Sequence, residues 1–164
     1  MPGRPHLSVH PAHRRPWTLV AGGVVVCALL SACGPPTIET GDLTDAEDRA
    51  CRDLVAALPA SLAGQDSVEV EGDTEHGAAW GDPPIVLTCG VDALDISDAP
   101  PCTVVDGVGW VVPDEGGDET VFTADGYRPR VQVVVPDDYA PEAEALVALA
   151  PLVERYTEVE DRCL

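Results

Sequence analysis

Apolar residues recur along this chain with two different periods, and they divide it into helical ends around a strand-rich middle. Cys51, Leu54, Val55 and Leu58 fall at i, i+3, i+4 and i+7, which is one face of a helix. Thr44 and Glu47 form a capping box ahead of that face, Asp45 and Asp48 place negative charge at the positive end of the helix dipole, and Pro59 predicts the stop. A second helix is predicted to open at Pro141 and to bury Ala143, Leu146, Val147 and Ala150. It is expected to kink or break at Pro151 and to continue through Val153 to Tyr156.

The middle follows a period of two or is continuously apolar. Ile85–Cys89, entered through Pro83-Pro84, predicts a strand buried on both faces. Thr103–Val105 and Val108–Val112 flank Asp106-Gly107, a strong hairpin signature. Glu119–Thr123 and Arg130–Val135 predict a further pair, with Asp125-Gly126 in the connection. The stretch 60–81 is polar and glycine-bearing, and only Val68 and Val70, alternating with Glu69 and Glu71, suggest an edge strand there. The order helix, strands, helix predicts an α+β fold: an antiparallel sheet of four or five strands with both helices packed on one face.

Ahead of this domain lies a segment of different character. Residues 1–16 carry Arg4, Arg14 and Arg15 and no acid, and Trp17–Ala32 then run sixteen residues without a charge. The uncharged run is shorter than the roughly 20 residues of a membrane span, is interrupted by Gly22-Gly23 and ends in small residues. That is the pattern of a cleaved export signal. Leu30-Ser31-Ala32-Cys33 at its end resembles the lipobox of bacterial lipoproteins at all four positions. The resemblance implies cleavage before Cys33 and acylation of that cysteine, with several acyl chains sufficient for stable anchoring. Residues 1–32 are therefore expected to be a lipoprotein signal peptide, 33–43 a tether with Pro35 and Pro36 and no periodicity, and 44–164 a single domain.

Charge then narrows the partners. The 164 residues hold 9 basic and 29 acidic side chains, and no acid lies before Cys33. Residues 33–164 keep six arginines, no lysine and all 29 acids, a net charge of −23. Such a chain offers no footprint for nucleic acid. The expected partners are the membrane, through lipid on Cys33, and an envelope protein or a cationic ligand.

Cys27 leaves with the signal and Cys33 takes the lipid, so Cys51, Cys89, Cys102 and Cys163 remain. In an exported chain four cysteines imply two disulfides with three connectivities. The pairing Cys89–Cys102 with Cys51–Cys163 is favoured, because it closes a short proline-bearing loop and staples the first helix to the chain's end. Cys51–Cys89 with Cys102–Cys163 stays open. Residues 33–164 have no close cysteine pair and one histidine, His76, which argues against a metal site, and nothing suggests a cofactor.

Candidate chemistry is thin. His76, near Glu75, could act with Ser61, Ser67 or Ser97 in a hydrolase, and Asp114 or Glu115 could pair with Asp118 or Glu119, though in a glycine-rich turn. Glu71, Asp73 and Glu75 alternate before Gly77 without the spacing of a calcium loop. Arg128 and Arg130 flank Pro129 and are expected to be neutralised by nearby acids. If a partner surface exists, it is expected to include Trp80 and Asp82, with Trp110 as a neighbour; the competing structural reading has Trp80 plugging the end of the sheet.

Ala79–Gly90, together with Val105–Trp110 and Val131–Pro136, resembles the small actinobacterial lipoproteins grouped as domain of unknown function 3515, over roughly residues 50–163. The resemblance implies a cell-envelope lipoprotein with paired cysteines and implies no activity. The function expected from these features is that of a non-enzymatic binding or accessory module held on the outer face of the cell membrane. An envelope hydrolase using His76 and acidic residues is the alternative.

Overall fold

The computed structural model describes residues 34–94, 101–113 and 117–160. The chain divides into a unit Met1–Ala32 and a unit Cys33–Leu164, and all described residues belong to the second. Its elements are β1 (Thr37–Ile38), α1 (Asp45–Ala56), β2 (Ser61–Leu62), β3 (Gln65–Val68), β4 (Glu71–Gly72), β5 (Gly77–Trp80), β6 (Ile85–Cys89), β7 (Cys102–Val105), β8 (Val108–Val111), β9 (Glu119–Ala124), β10 (Tyr127–Arg128), β11 (Val131–Pro136), α2 (Ala143–Tyr156) and β12 (Glu158–Val159). No described helix is long and apolar enough to cross a membrane.

The main sheet has eight strands in the order β2-β3-β5-β6-β11-β9-β8-β7, with every pairing antiparallel. The expected count of four or five is therefore corrected. β2, β3 and β5 account for the difference: the edge strand suggested at Val68–Glu71 is instead Gln65–Val68, and Ser-Leu and Gly-Ala-Ala-Trp carry no alternation that a sequence pattern could register. Turn geometry supplies what hydrophobicity does not. Ala63 and Gly64, at φ 47° and 75°, form the two-residue loop between β2 and β3, as Asp106 and Gly107, at φ 47° and 91°, do between β7 and β8. Left-handed φ at both central positions matches the right-handed twist of the flanking strands.

The fold is α+β with two helices, and both pack on one face of the sheet. Cys51 and Leu54 of α1 and Ala145, Leu146, Leu149, Ala150 and Val153 of α2 share one core with Ile85, Leu87, Cys89, Val131, Val133 and Val135. Thr44 caps α1, its hydroxyl accepting from the Glu47 amide while the Glu47 carboxylate accepts from the Thr44 amide. The Thr44 amide, and then the Thr44 hydroxyl donating to the same carboxylate at 2.7 Å, hold the Glu47 carboxyl below its ordinary value. α1 ends at Ala56, ahead of Pro59, as its last turn tightens through Leu58 N–H to the Val55 carbonyl at 3.2 Å. α2 runs from Ala143 to Tyr156 with Pro151 inside it. Pro151 is exposed, as is Val147, whose carbonyl the proline deprives of its helical partner on the solvent side, and the helix continues without a break.

The segment expected to be a free tether is part of the fold. β1 pairs in parallel with β4, the Glu71 and Asp73 amides donate to the carbonyls of Pro36 and Ile38, and the Gly41 amide donates to the Gly90 carbonyl. Ile38 is 1% exposed and seats against Gly77, where a Cβ would come within 2.6 Å of the Ile38 side chain and of the Leu87 carbonyl. A side chain at position 77 would expel the isoleucine.

The disulfide joins Cys51 to Cys89, with Cα atoms 5.4 Å apart and 38 residues between them in sequence. This overturns the favoured pairing of Cys51 with Cys163 and of Cys89 with Cys102. Both cysteines point into the layer between helix and sheet, one from α1 and one from β6, so packing rather than loop length brings them together. It is the one disulfide with both partners among the described residues. Cys102 is also disulfide-bonded, and Cys163 lies outside those residues.

A loop of this length makes the cross-link worth about 4 kcal/mol by chain entropy. The double variant Cys51→Ser/Cys89→Ser is accordingly expected to lose between roughly 2 and 5 kcal/mol of stability, measured by urea unfolding of the oxidised proteins.

Candidate functional site

Antiparallel register determines what the face opposite the helices presents. Ile85, Leu87 and Cys89 turn toward the helices, so Val86 and Thr88 turn away, and in β11 Gln132 and Val134 do the same. Pairing across the sheet aligns Gly77, Thr88, Gln132, Thr123 and Val111 in one row, and Ala79, Val86, Val134 and Val121 in the next. The first row is mostly polar and internally bonded, Gln132 Nε2 donating to Thr123 Oγ1 at 3.3 Å. The second row is wholly apolar.

A groove of about 470 Å³ lies on this face, with Val86, Thr88, Gln132 and Val134 as its floor. Pro36 and Thr37 of the N-terminal segment form part of its wall, with Pro83, Pro84 and Pro136, and Glu39 and Glu119 contribute carboxylates. Four prolines give it walls of low conformational freedom. An apolar strip, a pair of hydrogen-bonding side chains and two acids together suit a ligand with an apolar body and a cationic or donor group. Sequence reading missed this groove. Its trace in the main strands was the alternation of Thr88 and Gln132 with buried neighbours, which the reading of Ile85–Cys89 as a strand buried on both faces passed over.

Of the residues singled out from sequence, Glu119 lines this groove, and the other described ones lie elsewhere. His76 enters β5 beside α1, and its Nε2–H donates to Asp48 Oδ1 at 2.9 Å, while Asp48 also binds Arg52 one turn along the helix. The other ring nitrogen, Nδ1, is buried without a hydrogen-bond partner. A general base needs a ring nitrogen within reach of substrate, and this one is sealed off. Ser61 and Ser67 stand in β2 and β3, and neither is bonded to His76; Ser97, Asp114 and Glu115 lie outside the described residues. Among the described residues no group of three His, Cys, Asp or Glu side chains is placed to hold a metal ion.

Asp73 has a structural role. Its carboxylate accepts from the Thr40 hydroxyl at 2.8 Å and from the Thr40 amide at 3.2 Å, clasping the N-terminal segment. The hydroxyl bond, then the amide bond, holds the Asp73 carboxyl below its ordinary value. Arg128 pairs with Glu160 at 2.9 Å and Arg130 with Asp125 at 2.7 Å, so acids do neutralise these two arginines.

Trp80 and Trp110 are 1% and 0% exposed, which places both indoles in the core and away from any partner surface. Trp80 Nε1–H donates to the Pro59 carbonyl at 2.9 Å, tying β5 to the chain that leaves α1. The turn after it is held by Tyr139, whose hydroxyl accepts from the Asp82 amide at 3.1 Å and donates to the Pro83 carbonyl at 2.8 Å. Gly81 sits at φ 84°, and a Cβ there would meet that hydroxyl at 2.6 Å. Of the three residues expected at a partner surface, Asp82 alone is exposed.

A family model described as "Protein of unknown function (DUF3515)" matches residues 16–160. The chain belongs to the DUF3515 family. No curated protein and no solved structure matches it. The DUF3515 match spans the whole sheet and both helices, so the groove is built from the family's own fold.

Two outcomes are expected. Trp80→Ala should cost about 3–5 kcal/mol of stability, and Trp80→Phe less, by urea unfolding; in the native protein, acrylamide should leave the Trp80 emission unquenched. The second concerns acid. A carboxyl depressed on folding contributes stability that is complete above its ordinary value, here 3.8, and is lost as pH falls through the folded value below that. Amide exchange should therefore show the Thr40 N–H protected at pH 5 and progressively released below about 3.8, and Asp73→Asn should remove that pH dependence.

Proposed function

We propose that this chain is a lipid-anchored protein of the outer face of the cell membrane, and that it works as a binding or accessory module through the groove on the sheet's open face. Leu30-Ser31-Ala32-Cys33, at the end of an uncharged run behind three arginines, carries the anchoring part of the reading. Supporting it, the first described strand starts at Thr37, a few residues after that cysteine, so cleavage at residue 32 would leave every described element intact.

The binding part rests on the groove of about 470 Å³ and on the chemistry of its lining, with Glu39 and Glu119 suited to a cationic ligand or to a basic patch on an envelope protein. A hydrolase centred on His76 has no comparable support. Its free nitrogen is buried, and its bonded one is committed to Asp48.

Mass spectrometry of the protein from the membrane fraction tests the anchor. The expected N-terminal peptide begins at an acylated Cys33, and the Cys33→Ala variant should accumulate with its signal attached. Recovery of an unmodified peptide crossing Ala32–Cys33 as the membrane-bound species would refute the reading.

A further inference from the structure

The docked N-terminal segment fixes how far the domain can stand from whatever holds Cys33. Pro36 is already bonded to the fold through the Glu71 amide at 3.0 Å, and Ile38 is buried. Gly34 and Pro35 alone separate Cys33 from that first anchored residue. Three residue steps of fully extended chain reach about 10 Å, close to the ~8 Å Debye length of physiological salt. Gly34, Pro35 and Pro36 line a cleft of about 500 Å³ together with Val68, Glu69 and Asp82, so the segment leaves the domain at the β2–β3 end of the sheet.

We propose that this end of the sheet, where Val68, Glu69 and the Asp82–Pro84 turn meet the segment, is the surface that abuts the lipid headgroups, with the β7 edge directed away from the bilayer. The proposal rests on acylation of Cys33 and goes beyond it by giving the domain an orientation. Covalent geometry holds the β2–β3 end there. Glu69, Glu71 and Asp82 are repelled by anionic headgroups, but so short a link cannot carry the domain beyond reach of them. Six strand spacings separate β3 from β7, roughly 29 Å, enough for a probe on each to report different distances from the membrane.

Val68 and Val104, 40% and 60% exposed, provide matched sites on β3 and β7. The full-length protein, processed in the cell and purified from membranes as Val68→Cys or Val104→Cys, is labelled with a nitroxide and reconstituted in vesicles of phosphatidylcholine and phosphatidylglycerol that carry a nickel-chelating lipid. The label at 68 is expected to be broadened several-fold more than the label at 104. A Gly-Ser insert of roughly ten residues between Gly34 and Pro35, long enough to span about 17–19 Å, should bring the two close to equality. Equal broadening without the insert, or stronger broadening at 104, overturns the orientation while acylated protein still pellets with vesicles. Protein that lacks acyl groups and stays in the supernatant overturns the anchor, and the orientation with it.

Discussion

The register between β6 and β11 is the constraint from which both layers follow. Val133 faces Leu87 and Val134 faces Val86, so one set of side chains meets the helices and the alternate set floors the groove. A slip of one residue in β11 would exchange its two faces, burying Gln132 against the helices and exposing Val133. The Cys51–Cys89 bridge stands at one end of β6 and ties it to α1, and the Cys89 amide donates to the His76 carbonyl at 2.8 Å. Core, disulfide and groove therefore share one alignment.

Where local chemistry decides, the sequence was a sufficient guide. Thr44 with Glu47 announces the start of α1, Asp106-Gly107 announces the β7–β8 turn, and Ile85–Cys89 announces the central strand, because each depends on residues close together in the chain. The missed elements depend on distant neighbours. Gly77–Trp80 is a strand because β6 pairs with it, and its small residues reflect the seat they give to Ile38, about forty positions earlier. Ala63-Gly64 makes the same kind of turn as Asp106-Gly107, but alanine does not advertise a left-handed backbone.

The site was less legible than the fold for a related reason. Scarcity drew attention to His76, Trp80 and Trp110, and the structure uses all three internally: one bound to Asp48, two sealed in the core. The groove instead draws on common residues contributed by β6, β11, the proline turns and the chain before α1. No spacing along the sequence encodes that convergence. Even the disulfide followed from three-dimensional packing, since the arithmetic of four cysteines gave an even number and no connectivity.

The outer end of the sheet shows a cost of this architecture. β7 is the last strand of the described sheet, its Val104 is 60% exposed, and Thr103 is exposed beside it, so the row is β-prone and free of lysine and proline. Edges of that kind invite a second copy to add a strand. Many proteins block the addition sterically, with a bulge or an inward charge. Here the barrier is the chain's own electrostatics: 29 acidic against 9 basic side chains make two like molecules repel before their edges can meet. A steric block acts only at contact, whereas this one reaches about a Debye length into solution and weakens as salt rises, which makes the colloidal behaviour of the protein a property of its surroundings as much as of its fold.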